Sequence, residues 1–135
     1  ERTWGRGNYW YLAPVPPNAT SPEMTPFTYV SAAYDMLKVG DKARSLAFLE
    51  TASHTWPTYW LSYFLIANYY LEQNDNQAVA WFEKGYEVGQ HQHVYVHNYV
   101  LALRENNMPE KANTILKQGL ERFPNNEPLL TLAEK

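Results

Sequence analysis

The chain has 135 residues, and its 11 basic and 14 acidic residues give a formal net charge of -3 at pH 7. This balance excludes the basic footprint of a nucleic-acid-binding domain, and the absence of cysteine excludes disulfides and thiol nucleophiles. The longest apolar run, residues 64–67, is far shorter than the roughly 20 residues of a membrane span. We therefore expect no nucleic acid as a partner and no membrane span in this sequence.

The first 25 residues differ in composition from the remainder of the chain. Residues 4–12 are rich in aromatic residues and include two glycines, a composition that favours a short strand. Three prolines follow, Pro14, Pro16 and Pro17, and proline continues neither a helix nor the hydrogen bonding of a β-sheet. The sequence therefore predicts an extended N-terminal segment at 1–25, with a linker at 13–25.

The first helix pair begins after this segment. Thr25 is suited to cap the first helix, and Pro26 to occupy its first position. Apolar residues follow at helical spacing until Gly40 and Asp41 turn the chain. The second helix of the pair is predicted to end near His54.

The second helix pair is predicted at about 58–72 and 77–88, joined by a polar turn at 73–76. Its first helix is apolar on nearly all sides. A helix of this kind is covered on more than one face. We therefore expect it to be the central element of the array.

The third pair is predicted at about 94–105 and 110–123, where Pro109 pre-sets the first turn of the second helix. Residues 127–135 begin one more helix. This helix is either a cap over the apolar end of the array or the first half of a further repeat.

Small and apolar residues recur along these helices at separations of 33 and then 34 residues. The clearest columns are Ser45, Ala78 and Ala112; Leu49, Phe82 and Leu116; and Ala52, Gly85 and Gly119. A period of about 34 residues is typical of helix-turn-helix repeats, which bury their apolar faces only by stacking. The sequence predicts an all-α domain at 26–135 with repeats at about 26–58, 59–92 and 93–126, whose function is binding rather than catalysis.

These columns resemble the tetratricopeptide repeat (TPR). The matching positions are Leu65, Tyr69, Ala78, Phe82 and Gly85 in the second unit, and Val100, Ala112, Leu116, Gly119 and Pro124 in the third. The first unit has Ser45 where alanine is usual, and Tyr29, Ser62 and Val96 stand where the family usually has Trp. The resemblance implies a TPR-like array with a protein or peptide partner.

A second resemblance concerns residues 2–17. The order Arg2-Thr3-Trp4, Tyr9-Trp10, Pro14, Pro16-Pro17, a linker and a repeat ending in Trp56-Pro57 is similar to the C-terminal portion of bacterial papain-fold cysteine peptidases related to the double-glycine leader peptidases. It implies an accessory, substrate-positioning domain whose neighbouring peptidase domain lies upstream of Glu1. The resemblance favours the bacterial cell envelope or periplasm as the compartment, with the cytoplasm as the alternative.

In TPR proteins the first helix of each pair lines the inner surface. The resemblance implies a peptide-binding groove formed by Phe27, Tyr34, Trp60, Tyr63, Tyr70, His97 and Arg104. Tyr and Trp supply large contact area at low entropic cost, so we expect them to anchor a peptide, with His97 and Arg104 as orienting groups. The alternative is that these residues pack on the N-terminal segment or on another domain.

Three histidines invite a metal interpretation, because His93 and His97 are four residues apart and share a helix face with His91 nearby. No cysteine accompanies them, and Glu87 and Glu105 are not at ligand spacing. The carboxylates are expected on solvated helix faces or turns, and the serines at helical positions as small packing or polar residues, so no serine is aligned with a base as a nucleophile requires. We therefore predict no metal, no cofactor and no catalytic residue, and the oligomeric state stays open.

Overall fold

The computed structural model describes residues 25–135. They form seven helices and no strand: α1 Pro26–Lys38, α2 Lys42–Thr55, α3 Trp60–Glu72, α4 Gln77–Gly89, α5 His93–Glu105, α6 Pro109–Arg122 and α7 Glu127–Ala133. The all-α class is confirmed, and the observed ends lie within two residues of the predicted ones. In this part of the chain no helix combines the length and the apolar character that crossing a membrane requires. The predicted strand at 4–12 and the linker up to residue 24 lie outside the described residues.

The turn between α1 and α2 follows from local chemistry. The Thr25 hydroxyl accepts a hydrogen bond from the Thr28 amide at 3.2 Å and caps α1, as predicted from the sequence. Gly40 has a φ of 96°, which a side chain would strain. Asp41 then caps α2 by accepting from the Arg44 amide at 3.4 Å. Because these bonds are local, the sequence alone fixes where the first hairpin turns.

The chain divides into two compact units, and the division falls inside α3 between Leu65 and Ile66. The described part of the first unit contains α1, α2 and the N-terminal half of α3. The second unit contains the remainder of α3 and helices α4 to α7. The single TPR domain predicted over 26–135 and its three repeats therefore stay predictions.

The core of the first unit contains aromatic rings and one buried hydroxyl that is hydrogen-bonded. Tyr29 stacks on Phe48 with ring centroids 5.5 Å apart and lies 5.8 Å from the Trp56 ring. Ser45 is fully buried, and its hydroxyl donates to the Ala33 carbonyl at 2.7 Å. Both departures from the TPR pattern in this unit therefore have a packing role, since Tyr29 fills the core and Ser45 bonds α2 to α1.

In the second unit, α4 and α5 pack through aromatic rings. The Phe82 ring lies 5.3 Å edge-on from Tyr95 and stacks on Tyr99 at 5.6 Å. The Tyr95 hydroxyl donates to the Phe82 carbonyl at 2.6 Å. A Cβ atom on Gly89 would lie 2.5 Å from ring carbons of Tyr95. The end of α4 therefore approaches α5 at a distance that only glycine permits.

Glycine also sets the distance at the next helix contact, where α6 and α7 complete the second unit. A Cβ atom on Gly119 would lie 2.7 Å from Val96 in α5 and 3.5 Å from Leu129 in α7. Leu129 and Leu132 are buried, so the short helix α7 is held by its apolar side chains.

Candidate functional site

A cleft of about 370 Å³ lies in the first unit between α1 and the N-terminal half of α3. Its walls are Val30, Ser31, Tyr34, Asp35, Leu61 and Leu65. We call it the α1–α3 cleft. Apolar side chains make up most of this lining, and two polar groups from α1 stand beside them. This composition is typical of sites that bind an apolar group and orient it with a few polar contacts.

Two of the predicted groove residues lie on one exposed face of α1. Phe27 is 64% exposed and Tyr34 is 40% exposed, and a separation of seven residues, two helical turns, places them on the same side. The Lys38 ammonium lies 5.3 Å from the centroid of the Tyr34 ring. A cation at this distance is attracted by the ring face. The face therefore offers aromatic surface with a positive charge at its end.

The predicted residues of α3 in the first unit are less accessible. The Trp60 ring is half-buried and lies 5.6 Å from Phe64. Tyr63 is 6% exposed, and its hydroxyl donates to the Pro57 carbonyl at 2.8 Å. Burial raises the pKa of Tyr63 above its ordinary value. Tyr63 therefore offers little surface to a ligand and stabilises the turn after α2, which differs from the anchoring role predicted for it.

Four polar side chains on α3 and α5 form a chain of hydrogen bonds in the second unit, which we call the amide ladder. The Asn98 amide donates to Asn68 Oδ1 at 2.9 Å, and the Asn68 amide lies 3.4 Å from a Glu72 oxygen. His97 Nδ1 lies 2.9 Å from Asn98 Oδ1, and the nitrogen is the donor because an amide oxygen only accepts. His97 was predicted as an orienting residue, whereas both asparagines were missed.

The other two predicted residues of the second unit have separate surroundings. Tyr70 is half-buried, with its ring 5.4 Å edge-on from Tyr69. Arg104 donates to the Leu132 carbonyl at 3.0 Å and lines a second cleft beside α6 and α7. Arg104 therefore contributes to the attachment of α7, a role that the groove prediction did not include.

The histidines that invited a metal interpretation each have a different neighbour. His93 lies edge-on to Phe123 at 5.9 Å, His91 Nδ1 lies 3.5 Å from an Arg122 nitrogen, and His97 belongs to the amide ladder. Within residues 25–135, no three histidine or carboxylate side chains come together as a metal site requires.

Comparison with known proteins addresses the fold. No protein-family model and no curated protein matches the chain, but nine chains of solved structures do. One of them, the crystal structure of MamA protein, aligns with a TM-score of 0.62 at 15% sequence identity, and the match covers 77% of this chain and 57% of that chain. The fold is TPR-like and all-α. At this identity the likeness describes the fold alone, and this chain spans a little over half of the MamA chain.

Proposed function

We propose that this chain is a non-catalytic protein-interaction module that binds a peptide segment of another protein or of a neighbouring domain. The observation that supports the proposal is the α1–α3 cleft, an apolar cavity of about 370 Å³ beside the exposed ring of Tyr34. A volume of this size fits one or two apolar side chains rather than a whole folded surface. The ligand is therefore a short segment with an apolar anchor.

Two charged side chains beside the cleft determine which groups are favoured on either side of the peptide's apolar anchor. Asp35 lines the cleft, and the Lys38 ammonium lies over the Tyr34 ring. The carboxylate favours a basic or amide group of the ligand, and the ammonium favours an acidic one. The tyrosine ring supplies contact area with only two side-chain torsions to fix. Tyr34 is thus the anchoring residue, and the two charges set the direction of the peptide.

The amide ladder suits the backbone of an extended segment. A side-chain amide has two N–H donors and an oxygen with two lone pairs. After the ladder bonds described above, Asn68 and Asn98 each keep one donor and one acceptor. One residue of an extended peptide likewise carries one N–H and one C=O. The second unit can therefore form hydrogen bonds with a peptide backbone whatever the side chains of that peptide are.

The resemblance to papain-fold peptidases implies a more specific function, in which the same kind of binding positions the substrate of a peptidase. Its residues, 2–17, lie outside the described part of the chain, and no contact described above favours it over a general interaction module. It stays a prediction from the sequence. A papain-type cysteine and histidine in the reading frame upstream of Glu1 would support it.

The proposal is tested by selecting peptides that bind to the whole chain. Phage-displayed peptides enriched on residues 1–135 are synthesised, and their affinity is measured by fluorescence anisotropy. Tyr34→Ala is expected to weaken binding about tenfold, the loss typical of a truncated aromatic anchor. Val39→Ala is the matched control, because Val39 is also an exposed apolar residue next to α1 but does not line the cleft. Equal losses in both variants, or no enrichment, would contradict the proposal.

A further inference from the structure

The α1–α3 cleft contains a carboxylate that no cation of residues 25–135 neutralises. Asp35 and Ser31 both line the cleft, and a separation of four residues places them one turn apart on the same side of α1. Lys38 is three residues from Asp35, but its ammonium lies over the Tyr34 ring, 5.3 Å from the centroid. The ion pairs found within residues 25–135 lie elsewhere. The Asp35 carboxylate is therefore available to a positive charge from a ligand.

The remaining wall of the cleft indicates what else that ligand group must carry. Val30, Leu61 and Leu65 present apolar surface in the same cavity. Tyr34 adds an aromatic ring that is 40% exposed. A group that matches these walls has a positive charge at the end of an apolar stem. Arginine and lysine side chains both have this form, since their methylene stems cover apolar surface while the charged end stays near water.

Arginine matches the cleft better than lysine does. A guanidinium has five N–H donors in a planar fork that fits the two oxygens of a carboxylate, whereas an ammonium is a compact and strongly hydrated charge. Two of the five donors can bond Asp35, and the Ser31 hydroxyl, one turn away, is an acceptor for a third. A guanidinium plane also stacks on aromatic rings such as that of Tyr34.

We infer that the α1–α3 cleft selects an arginine in the bound peptide, which pairs with Asp35 and Ser31 beside the apolar anchor. The cavity of about 370 Å³ is large enough for two side chains. This inference rests on the proposed function, because it names the chemistry of the peptide that the cleft binds. Asp35 is then the residue that determines specificity, and Tyr34 supplies contact area.

Selection of peptides on variants of the chain tests the inference. Phage-displayed peptides are selected on residues 1–135 and on Asp35→Asn, which removes the charge and keeps the shape of the side chain. Arginine next to an apolar residue is expected in the peptides from the unaltered chain and should be lost in those from Asp35→Asn. Glu50→Gln is the matched control, because Glu50 is an exposed carboxylate of α2 that does not line the cleft. Its peptides should retain the arginine.

Affinity measurements separate the charge of the arginine from its shape. The most enriched arginine peptide is synthesised again with citrulline, an uncharged isostere, at the arginine position, and both are measured by fluorescence anisotropy. Citrulline is expected to weaken binding to the unaltered chain about two- to fivefold, the effect of one partly exposed ion pair, and to change nothing with Asp35→Asn.

Two further variants test the sign of the charge and the fold. Lys38→Met removes the ammonium beside Tyr34 and is expected to tighten binding of the arginine peptide about twofold, whereas an acidic ligand would bind more weakly. Asp35 is exposed, so we expect Asp35→Asn to fold. Circular dichroism must show equal helix content in every variant compared.

Three results would overturn the inference. One is enrichment of peptides that require Tyr34 but contain no arginine, which would leave the proposed function intact. Another is an equal effect of citrulline on the unaltered chain and on Asp35→Asn. The third is an increase in affinity with Arg2→Ala or Arg6→Ala beyond the roughly fivefold effect of one exposed charge, because an arginine of this chain would then occupy the cleft. Enrichment of no peptide at all would contradict the proposed function together with this inference.

Discussion

Tyr29 provides the most direct test of the packing described for the first unit. The side chain is 1% exposed, and its hydroxyl has no hydrogen-bond partner among the described residues. Tyr63 is buried to a similar degree, but its hydroxyl donates to the Pro57 carbonyl at 2.8 Å. Removal of the hydroxyl by Tyr29→Phe and Tyr63→Phe should therefore change the free energy of unfolding in opposite directions.

The size of each change in the free energy of unfolding depends on whether the hydroxyl is hydrogen-bonded. A buried polar group without a partner costs about 1–3 kcal/mol, and a satisfied hydrogen bond contributes about 1 kcal/mol. Part of the gain at Tyr29 is offset by the small void that the oxygen leaves. We expect Tyr29→Phe to raise the free energy of unfolding by about 0.5–2 kcal/mol and Tyr63→Phe to lower it by about 1 kcal/mol.

Urea denaturation followed by circular dichroism at 222 nm measures both changes, provided that the slope of the transition is the same in each variant. The double variant should show the sum of the two effects, because the two hydroxyls share no partner. If Tyr29→Phe destabilises the chain as much as Tyr63→Phe does, the Tyr29 hydroxyl is hydrogen-bonded and the reasoning is refuted.

Two further predictions concern pH and packing. Burial raises the pKa of Tyr29 to about 12, whereas an unfolded tyrosine titrates near 10. The folded chain then holds more protons between these values, so stability is complete below pH 10 and falls by up to about 1.4 kcal/mol per pH unit above it. Denaturation at pH 9 to 11.5 should show a smaller loss in Tyr29→Phe, and identical slopes would contradict this. Gly89→Ala should destabilise by about 1–3 kcal/mol because Tyr95 must move, and Tyr95→Leu in the same chain should reduce that cost.

The helix ends were predictable because their signals are local. The Thr25 cap and the positive φ of Gly40 involve residues within a few positions of each other, so the sequence carries the whole interaction. The period of the repeat also predicted the order of the helices. Neither prediction required knowledge of tertiary contacts.

The groove residues were harder to predict, because a helical pattern gives the face of a residue but not what covers that face. Tyr63 was placed on a binding face, yet its hydroxyl reaches back to Pro57 in the preceding turn. Asn68 and Asn98 were overlooked, although asparagine is unfavourable inside helices. An asparagine in mid-helix is a signal of a tertiary partner, and here the Asn98 amide donates to the Asn68 side-chain oxygen.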